Sequence, residues 1–296
     1  MCTFSVAEIL YFFKEKSIIA DNMFLKLQPL IYSLFFLAGL ELIVFFHAHV
    51  LAIVFLLLLM ALFQGKKVGK RWKFSILPIF FVISSVALLY FITIRYEQQA
   101  FIILVSFMYY LALLGAYRLS KYSGDQTAIG INKAVTIATI FFVYASAYGL
   151  YLNFLVPLYF LILTYLLATF FVSYQYFSII GPRAETLVDE DEEKDEAEEL
   201  KNDPNVGAKP YDKKIVWAYS LLISLAMTEI AWTMNFWPFG YLTSGAIALI
   251  LYFVLWDIIR DYFLNILSKK RVLTNLIISL FLVTLVLLSS KWIPVI

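Results

Sequence analysis

Residues 27–64 read LQPLIYSLFFLAGLELIVFFHAHVLAIVFLLLLMALFQ. Whether this run is one helix or two decides the fold. A helix needs about 20 apolar residues to cross the hydrocarbon of a bilayer, with a range of about 17–25. The run is too long for one crossing and sufficient for two short ones. The polar break near its middle is His47-Ala-His49, so a tight hairpin is expected there, with spans at 27–46 and 48–64. Comparable apolar runs place further spans at 73–94, 99–118, 133–152, 155–178, 214–236, 241–260 and 272–290. The reading is all-α: a polytopic integral membrane bundle of nine transmembrane helices.

The composition requires the same solvent. Of 296 residues 62% are hydrophobic, 18% aromatic and 15% charged, and the mean hydropathy is +0.85. Soluble domains run nearer 45–50% apolar and about 25% charged. A water-soluble globule of this size cannot hide that excess in one core. The net charge of +2 and the absence of a basic, aromatic-interleaved patch give no support to nucleic acid as a partner. The single cysteine, Cys2, excludes an internal disulfide. The first residues do not resemble a cleaved signal, because Glu8, Lys14, Glu15 and Lys16 interrupt the early apolar run. Ser5-x-x-Glu8 matches a capping box. Residues 1–26 therefore read as an N-terminal interfacial segment, with a short amphipathic helix over 5–17 lying on the membrane or, alternatively, as a frayed cytosolic tail.

Cation placement tests the span count independently. With nine spans and a cytoplasmic N-terminus, the inner segments hold Lys14, Lys16 and Lys26; then Lys66, Lys67, Lys70, Arg71 and Lys73; then Arg118, Lys121 and Lys133. They also hold Arg183, Lys194, Lys201, Lys209, Lys213 and Lys214, and finally Arg260, Lys269, Lys270 and Arg271. Only Arg95 and Lys291 of the 23 basic residues fall outside. Fusing 27–64 into one span would set the N-terminal lysines against all the others. The C-terminus is thus expected outside, and the cell (plasma or inner) membrane is the expected location. Trp72, Tyr96, Tyr151, Tyr174, Tyr176, Trp217, Trp237, Tyr241, Tyr262 and Trp292 gather at span ends, as interfacial aromatics do.

Gly181-Pro182 marks the expected end of the sixth span, and a polar segment follows over 181–213. It divides a six-span part, 27–180, from a three-span part, 214–296. Its centre, 189–199, is almost wholly acidic and should be a solvated cytoplasmic loop, partly helical at best. It reads as a spacer, or as a handle for a basic cytosolic partner. An Asp189-x-Asp191 match in so acidic a run carries no information.

Few residues could carry chemistry. A charge near the bilayer centre costs about 2.5–3.5 kcal/mol on insertion scales, so such groups pair, protonate or face water. Glu41 and Glu229 are the intramembrane carboxylates. Glu229 lies eight residues before Trp237, about 12 Å below the outer interface, and Glu41 six before His47, about 9 Å below it. Both fall in the outer half, and a shared outward cavity is expected, with Arg95, His47, His49 and Trp232 as possible partners. The competing reading makes each glutamate a protonated or water-reaching helix contact. Ser220, Ser224 and Thr228 form a small polar stripe suited to helix packing. Thr243-Ser244-Gly245-Ala246 carries the Ser-Gly of an intramembrane serine protease, but Leu242 stands where its glycine should be and no later span holds a histidine. No metal set, cofactor fingerprint or catalytic motif appears. The expectation is a transporter or channel-like protein with an outward-facing carboxylate site. The alternatives are an outer-leaflet enzyme acting on a lipid-linked or cell-envelope precursor, and a non-catalytic membrane scaffold using its acidic segment.

Overall fold

The computed structural model describes residues 27–46, 49–122, 125–154, 156–196, 213–263 and 267–290, with side chains from 180 to 196 and at 213 and 263 left undescribed. The N-terminal segment, His47, the remainder of the 181–213 segment and the C-terminal residues lie outside this range.

Every described element is helical. They run α1 (Leu27–Phe45), α2 (Val50–Gly69), a 3-10 turn (Trp72–Ser75), α3 (Ile76–Leu89), α4 (Arg95–Lys121), α5 (Gln126–Phe154), α6 (Leu158–Glu196), α7 (Lys213–Met234), α8 (Tyr241–Phe263) and α9 (Lys269–Ser289). Among the described residues nine helices are long and apolar enough to cross a membrane. The 27–64 run is two helices with a turn between Phe45 and Val50, so the hairpin reading holds. α2 starts two residues later than expected and continues through Lys66 and Lys67 in its last turn. Lys70 closes it in a left-handed conformation at φ 57°.

Much of the apolar surface stays uncovered. α9 has the highest mean hydropathy, 2.5, yet only 6% of its apolar window is buried, whereas α5 at 1.6 is 67% buried. Ser279 alone is buried on α9, while α5 buries Asn132, Thr136, Thr139 and Ser146 beside its apolar residues. Extensive apolar surface faces outward, as expected of a bundle surrounded by lipid, and small polar groups are tolerated within.

α5 is the shared wall of two cores. On one side Phe142 and Ala145 pack with Phe36, Leu40, Phe81, Ile102 and Tyr109 of α1, α3 and α4. On the other, Tyr144, Ala147 and Tyr148 pack with Tyr165, Val172, Ile223, Met227, Ile247 and Trp256 of α6, α7 and α8. α6 packs chiefly on α7, so the helices flanking the acidic segment share one core. The Ser220–Ser224–Thr228 stripe turns its hydroxyls back onto carbonyls of its own helix, with both serines fully buried. Such bonding satisfies the hydroxyls while leaving a low ridge for a neighbour.

Two local details fix how helices meet. A Cβ on Gly245 of α8 would lie 2.9 Å from the Ala145 Cα of α5, and Ser244 beside it is buried. The Ser-Gly pair that resembles a protease motif therefore lies at a close approach between α8 and α5. The first amides of α3 lack partners within their own helix, and Gln175 of α6 reaches across to accept the Leu77 N–H at 2.8 Å.

The sixth helix departs from expectation. Its candidate span, Leu158–Ile179, ends as read, but the helical backbone does not stop at Gly181-Pro182 and continues to Glu196. Proline removes one donor and disfavours the helix interior by about 3 kcal/mol. Glu, Ala and Leu, good helix formers, recur in the residues that follow.

Candidate functional site

One polar opening lies where α1, α3 and α4 end together. Its walls are Ile43, Val44 and Phe45 of α1, Leu89 and Tyr90 at the end of α3, Thr93 in the turn, and Arg95, Gln98 and Gln99 of α4, enclosing about 440 Å³. The turn is held by the Gln98 side-chain amide, which donates to the Ile92 carbonyl at 2.6 Å. Arg95 opens α4, and Glu97 in the first turn suits the positive end of the helix dipole. Arg95 is exposed and makes no ion pair with a described residue. Gln99 donates to Glu41 Oε2 at 3.1 Å, so the half-buried Glu41 of α1 is one amide away from the opening.

Glu229 stands elsewhere. It is exposed on α7 and makes no hydrogen bond or ion pair with any described residue. Glu41 belongs to the helices of the first core and Glu229 to those of the second. Trp232 is 49% exposed and stacks edge-on against Phe236 at 5.7 Å rather than against an ionised partner. His49 is exposed at the start of α2 without a capping bond, and His47 lies outside the described residues. Among the described residues no group of three or more His, Cys, Asp or Glu is placed to hold a metal ion.

A second charged cluster, at the opposite end of the bundle, was legible only in part. Asp257, Arg260 and Asp261 share one face of α8. Arg260 Nη2 lies 2.9 Å from Asp257 Oδ1 and 2.7 Å from Asp261 Oδ1. α9 completes the set: Arg271 Nη1 meets Asp261 Oδ2 at 3.1 Å and the Asn275 amide donates to Asp257 Oδ2 at 2.6 Å. Both carboxylates are buried, Asp261 almost wholly. α5 adds Lys133, whose Nζ sits 4.8 Å from the Trp256 ring centre and 5.4 Å from that of Phe253. The Asp257-x-x-Arg260-Asp261 spacing signals one helical face. The contributions of Arg271, Asn275 and Lys133 depend on how three helices pack, which local spacing does not encode.

The turn before α5 carries one more ion pair. Asp125 Oδ1 accepts the Ala128 N–H at 3.2 Å, capping α5, and Oδ2 lies 2.8 Å from Arg118 Nε. Burial pushes this carboxyl up, but the Ala128 N–H and the Arg118 guanidinium together outweigh it and hold Asp125 below the ordinary carboxylate range.

The fold is thus an all-helical bundle whose nine long apolar helices, among the described residues, suggest a membrane protein. Residues 208–289, which include α7, α8 and most of the second charged cluster, match a family model described as a protein of unknown function (DUF5656). No curated protein and no solved structure matches the chain.

Proposed function

We propose that the chain is a proton-coupled transport protein of the cell membrane, taking a small anionic solute at the opening between α1, α3 and α4. The observation that carries this reading is Arg95, a cation free of any described ion-pair partner at an opening of mixed polar and apolar walls, where the neighbouring wall residue Gln99 donates to a carboxylate of α1. A guanidinium recognises carboxylate or phosphate groups by paired N–H donors. Glu41 is the proton-binding member, because a carboxyl held within the bilayer changes charge more cheaply than it crosses charged. The positive-inside distribution supports an opening on the outer face, with the N-terminus in the cytoplasm and the C-terminus outside. Glu229, facing out from α7, contributes to helix packing or lipid contact in this reading and not to the opening.

The test is uptake of labelled small carboxylates and phosphates by proteoliposomes, with outer pH set at 5.5 or 7.5. Wild-type protein should take up at least one of them faster at the lower pH than protein-free liposomes do. Arg95→Gln should raise the half-saturating concentration, and Glu41→Gln should remove the pH dependence. Uptake that never exceeds the protein-free rate, or an unaltered Arg95→Gln profile, would reject the proposal.

A second reading is favoured by the length of α6. Its helical backbone extends 17 residues beyond Ile179, about 25 Å at 1.5 Å per residue, and bears much of the acidic run. This is the geometry of a cytosolic handle for a basic protein. Deleting 186–206 should release a co-purifying basic partner while leaving the membrane bundle folded. Retention of that partner would exclude the handle.

A further inference from the structure

A narrow crevice of about 190 Å³ runs between α5, α8 and α9, lined by Ile137, Leu249, Ile250, Phe253, Val254, Asn275, Ile278, Ser279 and Leu282. Its walls are almost entirely apolar. The same three helices place a cation each at one end of it: Lys133 from α5, Arg260 from α8 and Arg271 from α9. Lys133 lies one turn before Ile137, Arg271 one turn before Asn275, and Lys133 Nζ is 5.4 Å from the centre of the crevice-lining Phe253 ring. Asp257 and Asp261 pair with Arg260 and Arg271, while Lys133, within electrostatic reach of both carboxylates, makes no ion pair among the described residues and lies over aromatic rings. The cluster therefore holds one more cation than it has carboxylates, and Lys269 and Lys270 lie exposed beside it.

We infer that this crevice binds one anionic phospholipid, with its phosphate at Lys133 and Arg271 and an acyl chain against Ile137, Phe253, Ile278 and Leu282. Charge complementarity selects an anionic head group, and the apolar walls select a chain. From Asn275 to Leu282 the helix advances seven residues, about 10 Å, enough to hold the upper part of a chain. Basic pockets between spans are suited to anionic head groups. A bound lipid would also give α9, which packs on α8 and is otherwise exposed, a second contact surface shared with α5. The proposal does not depend on the transport reading.

The full chain, purified in a neutral detergent, is titrated separately with dioleoyl phosphatidylglycerol, dioleoyl phosphatidylcholine and inorganic phosphate. Native mass spectrometry counts bound lipid and thermal unfolding is followed in parallel. One phosphatidylglycerol should be retained and should raise the melting temperature, with phosphatidylcholine and phosphate doing neither. Lys133→Gln should weaken retention about fivefold, the effect of one lysine near a lipid surface. Leu282→Trp, which fills the crevice from its exposed wall and leaves every charge in place, should weaken it as well. Equal retention of the two lipids, a shift reproduced by phosphate alone, or wild-type affinity in both variants would overturn the inference.

Discussion

Asp261 is 2% exposed at its side chain and is held by two guanidiniums, Arg260 and Arg271. At that depth the hydration the carboxyl oxygens lose is replaced by hydrogen bonds from the two guanidiniums. Removing one member of a buried set leaves the others uncompensated and costs about 3–5 kcal/mol. Asp261→Asn should fall near the lower end, about 3 kcal/mol, since Arg271 is half exposed and can turn to water. Thermal unfolding in detergent checks this, and an unchanged midpoint would contradict it. Asp125 tests the same physics outside the spans. Its folded-state affinity for protons is depressed, so its contribution is present above the unfolded-state range and disappears only as pH falls through the lower, folded value. Asp125→Asn keeps a capping side chain but loses the charge. The variant should therefore melt below wild type at neutral pH, and the gap should close only on strong acidification. In the sequence Glu41, Glu229 and Arg95 stood out because charges in apolar runs are rare. Lys133 did not, because the span was placed to begin there, whereas the Asp125 cap starts α5 at Gln126, two turns earlier.

Among elements, the two helices of the 27–64 run, the span ends of α6 and α8 and the packing role of the α7 stripe were legible, since each follows from hydropathy length or four-residue spacing. The continuation of α6 through Pro182 was not. A glycine–proline pair ordinarily stops a helix, and here the local helix-forming residues beyond it prevail. Nor could spacing show that Gly245 meets Ala145, a contact between residues 100 positions apart. Any side chain there must push α5 and α8 apart: a Cβ would sit 2.9 Å from the Ala145 Cα and 3.0 Å from its backbone nitrogen. Overpacking of this kind costs about 1–3 kcal/mol. Gly245→Val should lower the melting temperature and the yield of monodisperse protein, while Gly130→Ala, where an added Cβ meets nothing within 4 Å, should lower neither and, by helix propensity, slightly raise the first. Gln175→Leu should destabilise by about 1–3 kcal/mol, the cost of leaving the buried Leu77 amide unpaired. Identical unfolding of Gln175→Leu and wild type would show that α3 is capped in some other way.

At the scale of the molecule, the large apolar surface left uncovered is what separates this bundle from a soluble one. α9, the most apolar helix, is the least covered, and α5, among the more polar, is the wall that both cores share. The expected threading, in which successive helix ends alternate between two aqueous faces with cations gathered on one, rests on the sequence. That expectation needs no knowledge of packing, because cation placement is a property of loops. The arrangement of carboxylates could not be read the same way: depth along a helix says nothing about which direction around it a side chain points, and Glu41 and Glu229 belong to different cores. Threading is tested most directly by single cysteines in a Cys2→Ser background, placed at exposed positions on opposite ends: Thr93→Cys and Phe236→Cys on one face, Lys70→Cys and Lys269→Cys on the other. A membrane-impermeant maleimide should label the first two in intact cells and the second two only after permeabilisation. Labelling of Lys70→Cys or Lys269→Cys in intact cells, with Thr93→Cys protected, would contradict it.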